Sequence, residues 1–99
     1  MTLKVDPEQN EVRALRAVAD WRRKRVIEIG CGDGRLTLRL ARLGATVYAC
    51  DPDVTAVRAA RKNLPARYAQ RVEYHLGHAE HLKPAKETFD LAVFAWALC

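Results

Sequence analysis

Three glycines at alternate positions, Gly30, Gly32 and Gly34, follow directly on the apolar run Val26-Ile27-Glu28-Ile29. Glycine lacks a Cβ and tolerates positive φ, so a main chain carrying three of them can turn sharply and approach a bound molecule closely. A helix starting at the end of that turn would add unpaired N–H groups aimed at polar ligand atoms. Glu28, inside the apolar run, needs a partner, because burying a lone carboxylate is costly. A second acid, Asp51, ends the apolar run Val47-Tyr48-Ala49-Cys50 twenty-one residues beyond Gly30. That offset is close to the one at which doubly wound folds place a hydroxyl-binding carboxylate. Two O–H donors can share its two acceptor oxygens, and such charge-assisted bonds are the stronger ones. The spacing departs from the dinucleotide fingerprint Gly-x-Gly-x-x-Gly, whose last glycine slot is held here by Arg35.

The elements that must position these residues alternate between helix and strand. Asp6 and Pro7 open a first helix at its N-cap and first turn, with Val12, Leu15, Val18 and Ala19 at helical spacing. Residues 26–29 form a strand and residues 34–43 a helix, with Leu36, Leu40 and Leu43 inward, Arg35, Arg39 and Arg42 outward, and Gly44 as its stop. Residues 46–50 form a second strand, and Asp53 caps a helix that Pro65 ends, with Val57, Ala60 and Leu64 buried. A third strand begins at Val72 and a fourth spans Phe89 to Phe94. Continuously apolar strands suit a parallel sheet covered on both faces, while Glu73 and His75 mark the third strand as an edge. In such a sheet the ligand crevice lies beyond the carboxyl ends of the strands, where Gly30 to Gly34, Asp51, His78 to Glu80, and Ala95 to Trp96 converge.

In order and spacing these segments resemble the class I S-adenosylmethionine-dependent methyltransferases, whose first motif sets an acid and Gly-x-Gly-x-Gly after a buried strand. Glu28, Gly30, Gly32 and Gly34 match it, and the likeness covers residues 25–99. It implies an α/β fold: a Rossmann-like open parallel sheet with flanking helices in three layers. About four strands are present, truncated relative to the family's seven. A single domain over residues 1–99 is expected, with a leading helix in 1–24 and the core in 25–99. The resemblance further implies S-adenosylmethionine as cofactor and S-adenosylhomocysteine as product. Gly30, Cys31, Gly32 and Gly34 would run under the methionine and ribose, Glu28 would support that loop and reach the amino group, and Asp51 would bind both ribose hydroxyls. Pro52 and Asp53 would border the adenine, with the Ala79 backbone N–H facing the ring and Ala95 facing the methionine end. His78 stands where relatives often carry an acid for the adenine amino group, a task Glu80 could assume.

Methyl transfer from a sulfonium is an in-line displacement that positioning alone can accelerate, and no catalytic base stands out. The fourth strand is followed by Ala95-Trp96-Ala97-Leu98 rather than the Asn-Pro-Pro-Tyr type of tetrad that base- and amide-nitrogen methyltransferases place there, so the resemblance implies a small-molecule acceptor rather than nucleic acid. A non-catalytic S-adenosylmethionine-binding module and, with less support from the glycine spacing, a nicotinamide-dependent oxidoreductase are the competing readings.

Composition narrows the partners. The net charge of +5 gathers at the N-terminal side, where residues 1–25 hold seven Lys or Arg against four Asp or Glu. Its centre, Arg22-Arg23-Lys24-Arg25, reads as a solvated helix end whose cations complement the dipole, because no aromatic residues interleave it for base stacking. No apolar stretch approaches the ~18 residues of a membrane span, and Met1 to Asn10 lacks a signal peptide's apolar segment, so the cytoplasm is the expected location. Cys31, Cys50 and Cys99 lack Cys-x-x-Cys spacing and read as reduced small filler. His75, His78 and His81 recur every three residues, but strand geometry would point them apart, so no metal is expected. The apolar run at the C-terminus suggests an exposed edge strand in residues 90–98, through which a homodimer or larger assembly would form.

Overall fold

The computed structural model describes residues 2–4, 16, 19–78 and 89–95. Among these residues the core is one parallel sheet of five strands: β1 (Thr2–Lys4), β2 (Arg25–Ile29), β3 (Thr46–Asp51), β4 (Val72–Leu76) and β5 (Leu91–Phe94). Their order across the sheet is β1-β5-β2-β3-β4. Among the described residues two helices connect successive strands, α1 (Arg35–Arg42) and α2 (Val54–Lys62), with a short 3-10 turn at Ala66–Tyr68 before β4. The expected Rossmann-like α/β architecture is therefore present, with β4 at the edge its polar residues foretold.

Successive right-handed crossovers carry α1 and α2 to the same face of the sheet. Parallel register builds that face in rows. Val26, Val47, Val72 and Leu91 form one row, and Val93, Glu28, Ala49 and Tyr74 form the next. Leu36 and Leu40 of α1 and Val57 and Ala60 of α2 pack onto these rows as a single core with Trp21. Burying a Leu or Val side chain of this kind is worth about 1.5–3 kcal/mol.

Both helix ends follow local chemistry. The Asp53 carboxylate accepts from the N–H groups of Thr55 at 2.9 Å and Ala56 at 3.2 Å, capping α2. At the other end of α1, Arg71 donates one guanidinium nitrogen to the carbonyls of Ala41 at 3.0 Å and Ala45 at 2.7 Å. A cation there complements the negative end of the helix, where the Ala41 carbonyl also accepts from the Gly44 N–H at 3.0 Å. Gly44 turns the chain at φ 102, and a Cβ on it would stand 3.0 Å from the Arg22 Cα.

Three expectations need correction. The sheet has a fifth strand, because Thr2–Lys4 pairs in parallel with β5 where a helix-led, polar N-terminus was expected. That strand is too short and its sequence too mixed to show alternation. Second, the fourth expected strand is no exposed edge: β5 bonds to β2 on one side and β1 on the other, which removes the edge through which a homodimer was expected. Third, Arg22 to Arg25 form no helix end. They occupy an exposed turn and the start of β2, with Arg23 at φ 60 donating its N–H to the Gly44 carbonyl at 3.0 Å. The helix expected from Asp6 and Pro7, and the residues Ala79, Glu80, His81, Trp96 and Cys99, lie outside the described residues. Among the described residues no helix is long and apolar enough to cross a membrane.

Candidate functional site

β2 and β3 end side by side, and their terminal loops are stitched together. The N–H groups of Gly30 and Cys31 both donate to the Cys50 carbonyl, at 2.9 and 3.0 Å. One residue further, the Gly32 N–H donates to the Asp51 carboxylate at 2.9 Å. The other oxygen of Asp51 accepts from the Asp53 N–H at 2.8 Å. Each carboxylate oxygen thus spends one acceptor position on the backbone and keeps a second for O–H donors. Asp51 is half-buried at the mouth of the crevice. Asp53 caps α2 as the sequence suggested, while Asp51 faces the loop.

Gly32 and Gly34 are glycines for different reasons. Gly32 sits at φ 57 with nothing within 4 Å of where a Cβ would stand, so the backbone borders open space at the crevice. Gly34 sits at φ 93 and heads α1. A Cβ there would collide with the ring of Tyr74, 3.0 Å from Cζ and 3.3 Å from Cε1. Thus one glycine leaves room for a ligand and the other for a side chain of the core.

Beneath the loop lies a polar cluster that sequence reasoning located only in part. Glu28 is wholly buried and accepts a hydrogen bond from the Thr37 hydroxyl of α1. Tyr74 reaches in from β4, two strands away, over the small Ala49. Its hydroxyl faces Thr37 without a hydrogen bond of regular geometry. The carbonyl of Tyr74 is held by Arg61, through Nε at 3.2 Å and Nη2 at 2.7 Å. Thr37 is the polar exception among Leu36, Leu40 and Ala41 on the buried side of α1, and that exception was the available signal. Tyr74 carried none beyond its alternation with Val72.

Cys31 fills space under the loop, 5% exposed, with its thiol 3.6 Å from the Gly32 carbonyl. Burial, then the charges of Glu28 and Asp51, push that thiol far above its ordinary range. Burial, followed by Asp51, raises Cys50 likewise. Neutral, enclosed thiols match a filler role. Pro52 and His78 are exposed beside the crevice, and the Ala95 N–H donates to the Ile29 carbonyl at 3.0 Å, which brings the end of β5 to the start of the glycine loop. His75 is engaged elsewhere, bonded to Glu73 at 3.1 Å and stacked on Tyr48 with ring centres 4.0 Å apart.

The arrangement fits an adenosyl sulfonium compound: a bare, open backbone at Gly32, a carboxylate with acceptor positions to spare, and a helix starting at the same point. Comparison with known proteins agrees. Residues 26–99 match a family model described as a methyltransferase domain. The ubiquinone biosynthesis O-methyltransferase of Rhizobium rhizogenes is 41% identical over 69 residues, which are 70% of this chain and 27% of that protein. The magnesium-protoporphyrin O-methyltransferase of Rhodobacter capsulatus is 38% identical over 69 residues, 70% of this chain and 30% of that protein. Among solved structures, an RNA methyltransferase from Salinibacter ruber in complex with S-adenosyl-L-homocysteine superposes with a TM-score of 0.73 at 25% identity, covering 91% of this chain and 60% of that one. The chain spans between a quarter and a third of the length of these two curated relatives.

Proposed function

The chain belongs to the S-adenosylmethionine-dependent methyltransferases, and we propose that it holds this cofactor across the ends of β2 and β3 for methyl transfer to a small molecule. The observation that carries the reading is the Asp51 carboxylate bonded to the Gly32 amide, an acid with spare acceptor positions beside a backbone open to a ligand. Asp51 would accept from both ribose hydroxyls with the lone pairs left after Gly32 and Asp53. Gly30, Cys31, Gly32 and Gly34 would carry the methionine and ribose portion, supported from below by Glu28. Pro52, His78, Ala79 and Glu80 would border the adenine, and Ala95 the methionine end.

The cofactor supplies a methyl group already activated on a sulfonium. The chain's part is to hold it in line with the acceptor and shielded from water, which can account for a large share of the rate. The acceptor we favour is an oxygen of a small molecule made and used in the cytoplasm. Two relatives, named as a ubiquinone biosynthesis O-methyltransferase and a magnesium-protoporphyrin O-methyltransferase, support that choice. The Salinibacter ruber relative, named as an RNA methyltransferase, supplies the competing acceptor class.

Isothermal titration with S-adenosylhomocysteine tests the site, and binding with a single set of sites is expected. A chain that is folded, unmoved by S-adenosylhomocysteine and thermally shifted by NADH would instead be a nicotinamide protein. Radiolabelled methyl transfer to phenolic small molecules and to RNA, run side by side, separates the acceptor classes. Binding without transfer to either would leave a non-catalytic binding module.

A further inference from the structure

Gly34 and Tyr74 come from opposite parts of the sheet layer, the head of α1 and the edge strand β4, yet they compete for one volume. The Tyr74 ring stands where a side chain on Gly34 would be, 3.0 Å from Cζ to the position a Cβ would take. Tyr74 itself has little freedom. It is 5% exposed, and its carbonyl is gripped by two nitrogens of Arg61 from α2. Thr37 lies three residues beyond Gly34, on the same side of α1. The ring therefore meets the helix at Gly34 and Thr37 together, and Thr37 passes the contact on to Glu28 under the loop.

We propose that Tyr74 is a positioning residue for the cofactor: its ring, seated against the bare Gly34, fixes how high the Gly30–Gly34 loop rides above the sheet and so where the Gly32 amide meets Asp51. The inference rests on the reading of that loop as the cofactor cradle. It adds an element the motif does not contain, since Tyr74, 5% exposed, meets the loop at Gly34 from its buried side. A loop pressed from below by a rigid ring is pre-organised. Without the ring the chain must order its loop on binding, at a cost in affinity.

The test is a double-substitution cycle in the full chain, Gly34→Ala and Tyr74→Leu, read as the dissociation constant for S-adenosylhomocysteine at a temperature where circular dichroism shows every variant folded. Each single substitution is expected to weaken binding about tenfold. Together they are expected to cost less than the product of the two, because the missing ring leaves room for the added methyl. A second readout needs no ligand: amide hydrogen exchange at Gly32 and Asp33 is expected to quicken in Tyr74→Leu while amides of α2 keep their rates. Where Tyr74→Leu does not fold, Tyr74→Phe in the same cycle removes the hydroxyl that crowds Gly34 most closely and is expected to soften the Gly34→Ala penalty. A wild-type chain that binds, with independent penalties in the cycle and unchanged loop exchange, overturns the inference alone. A folded wild-type chain without affinity for S-adenosylhomocysteine overturns the cradle and the inference with it.

Discussion

The Asp51 carboxylate lies 2.9 Å from the Gly32 amide, nineteen residues earlier in the chain, and this bond ties the end of β3 to the middle of the glycine loop. The acid is thereby a structural clamp and a ligand group at once. Its removal should act on both, which sets the first expectation. Asp51→Ala should weaken S-adenosylhomocysteine binding at least tenfold, about 1.4 kcal/mol, by titration calorimetry. Asp51→Asn should lose less, since one carbonyl oxygen can still accept from Gly32. An unchanged dissociation constant in Asp51→Ala would remove the residue from the site.

How far the sequence announced this arrangement differs from part to part, for physical reasons. The glycine triplet and Asp51 were visible because a close backbone approach and a hydroxyl-binding acid demand particular residue types at a particular spacing. Asp53 was visible as a cap for the same reason, and its two bonds to Thr55 and Ala56 bear that out. The supports of the site were not visible, because they depend on which strands become neighbours. Glu28 needed a partner, but that the partner would be Thr37 follows only from the way α1 packs back onto the sheet. The misplaced edge has a similar origin. In sequence β5 comes last, whereas in the sheet it lies between β1 and β2. Order along the chain carries no direct record of a crossover.

Thr37 offers the clearest stability test. Its hydroxyl donates to the fully buried Glu28 carboxylate. Thr37→Val keeps the shape and deletes the donor, leaving that carboxylate short of a hydrogen bond, which costs about 1–3 kcal/mol and more where the acceptor is charged. Urea unfolding should show stability lowered by that amount, read as a lower midpoint at unchanged slope. Thr37→Ser, which keeps the hydroxyl, should recover most of the loss. Equal stability of wild type and Thr37→Val would mean that the bond contributes nothing net.

Asp53 should behave as a helix cap. Replacing it by alanine leaves the N–H groups of Thr55 and Ala56 without their acceptor at the head of α2. The expected loss is about 1 kcal/mol in denaturant unfolding, largely restored by Asn or Ser, which cap in the same way. Alanine and serine variants of equal stability would show that water serves those amides as well as the side chain does.

Alkaline stability provides the last test, because the groups under the loop hold their protons in the fold. Burial, opposed by the contact with Thr37 and reinforced by the charge of Glu28, lifts the Tyr74 hydroxyl from its ordinary 10.0 to about 12. The unfolded chain releases this proton near 10, whereas the folded chain keeps it. Stability from this group is therefore complete below the unfolded value and disappears as pH rises through the folded one. Cys31 and Cys50, raised by burial from an ordinary 9.0, extend the same trend to lower pH. Urea midpoints should therefore hold level up to about pH 8.5 and fall progressively above it. Tyr74→Phe should flatten the upper part of that fall and leave the lower part to the thiols. In addition, Phe relieves a buried hydroxyl of its missing hydrogen bond, so the variant should be at least as stable as wild type at neutral pH. A wild-type midpoint that stays level through pH 11, or a Tyr74→Phe curve parallel to it, would show that the hydroxyl titrates alike in both states and is reached by water.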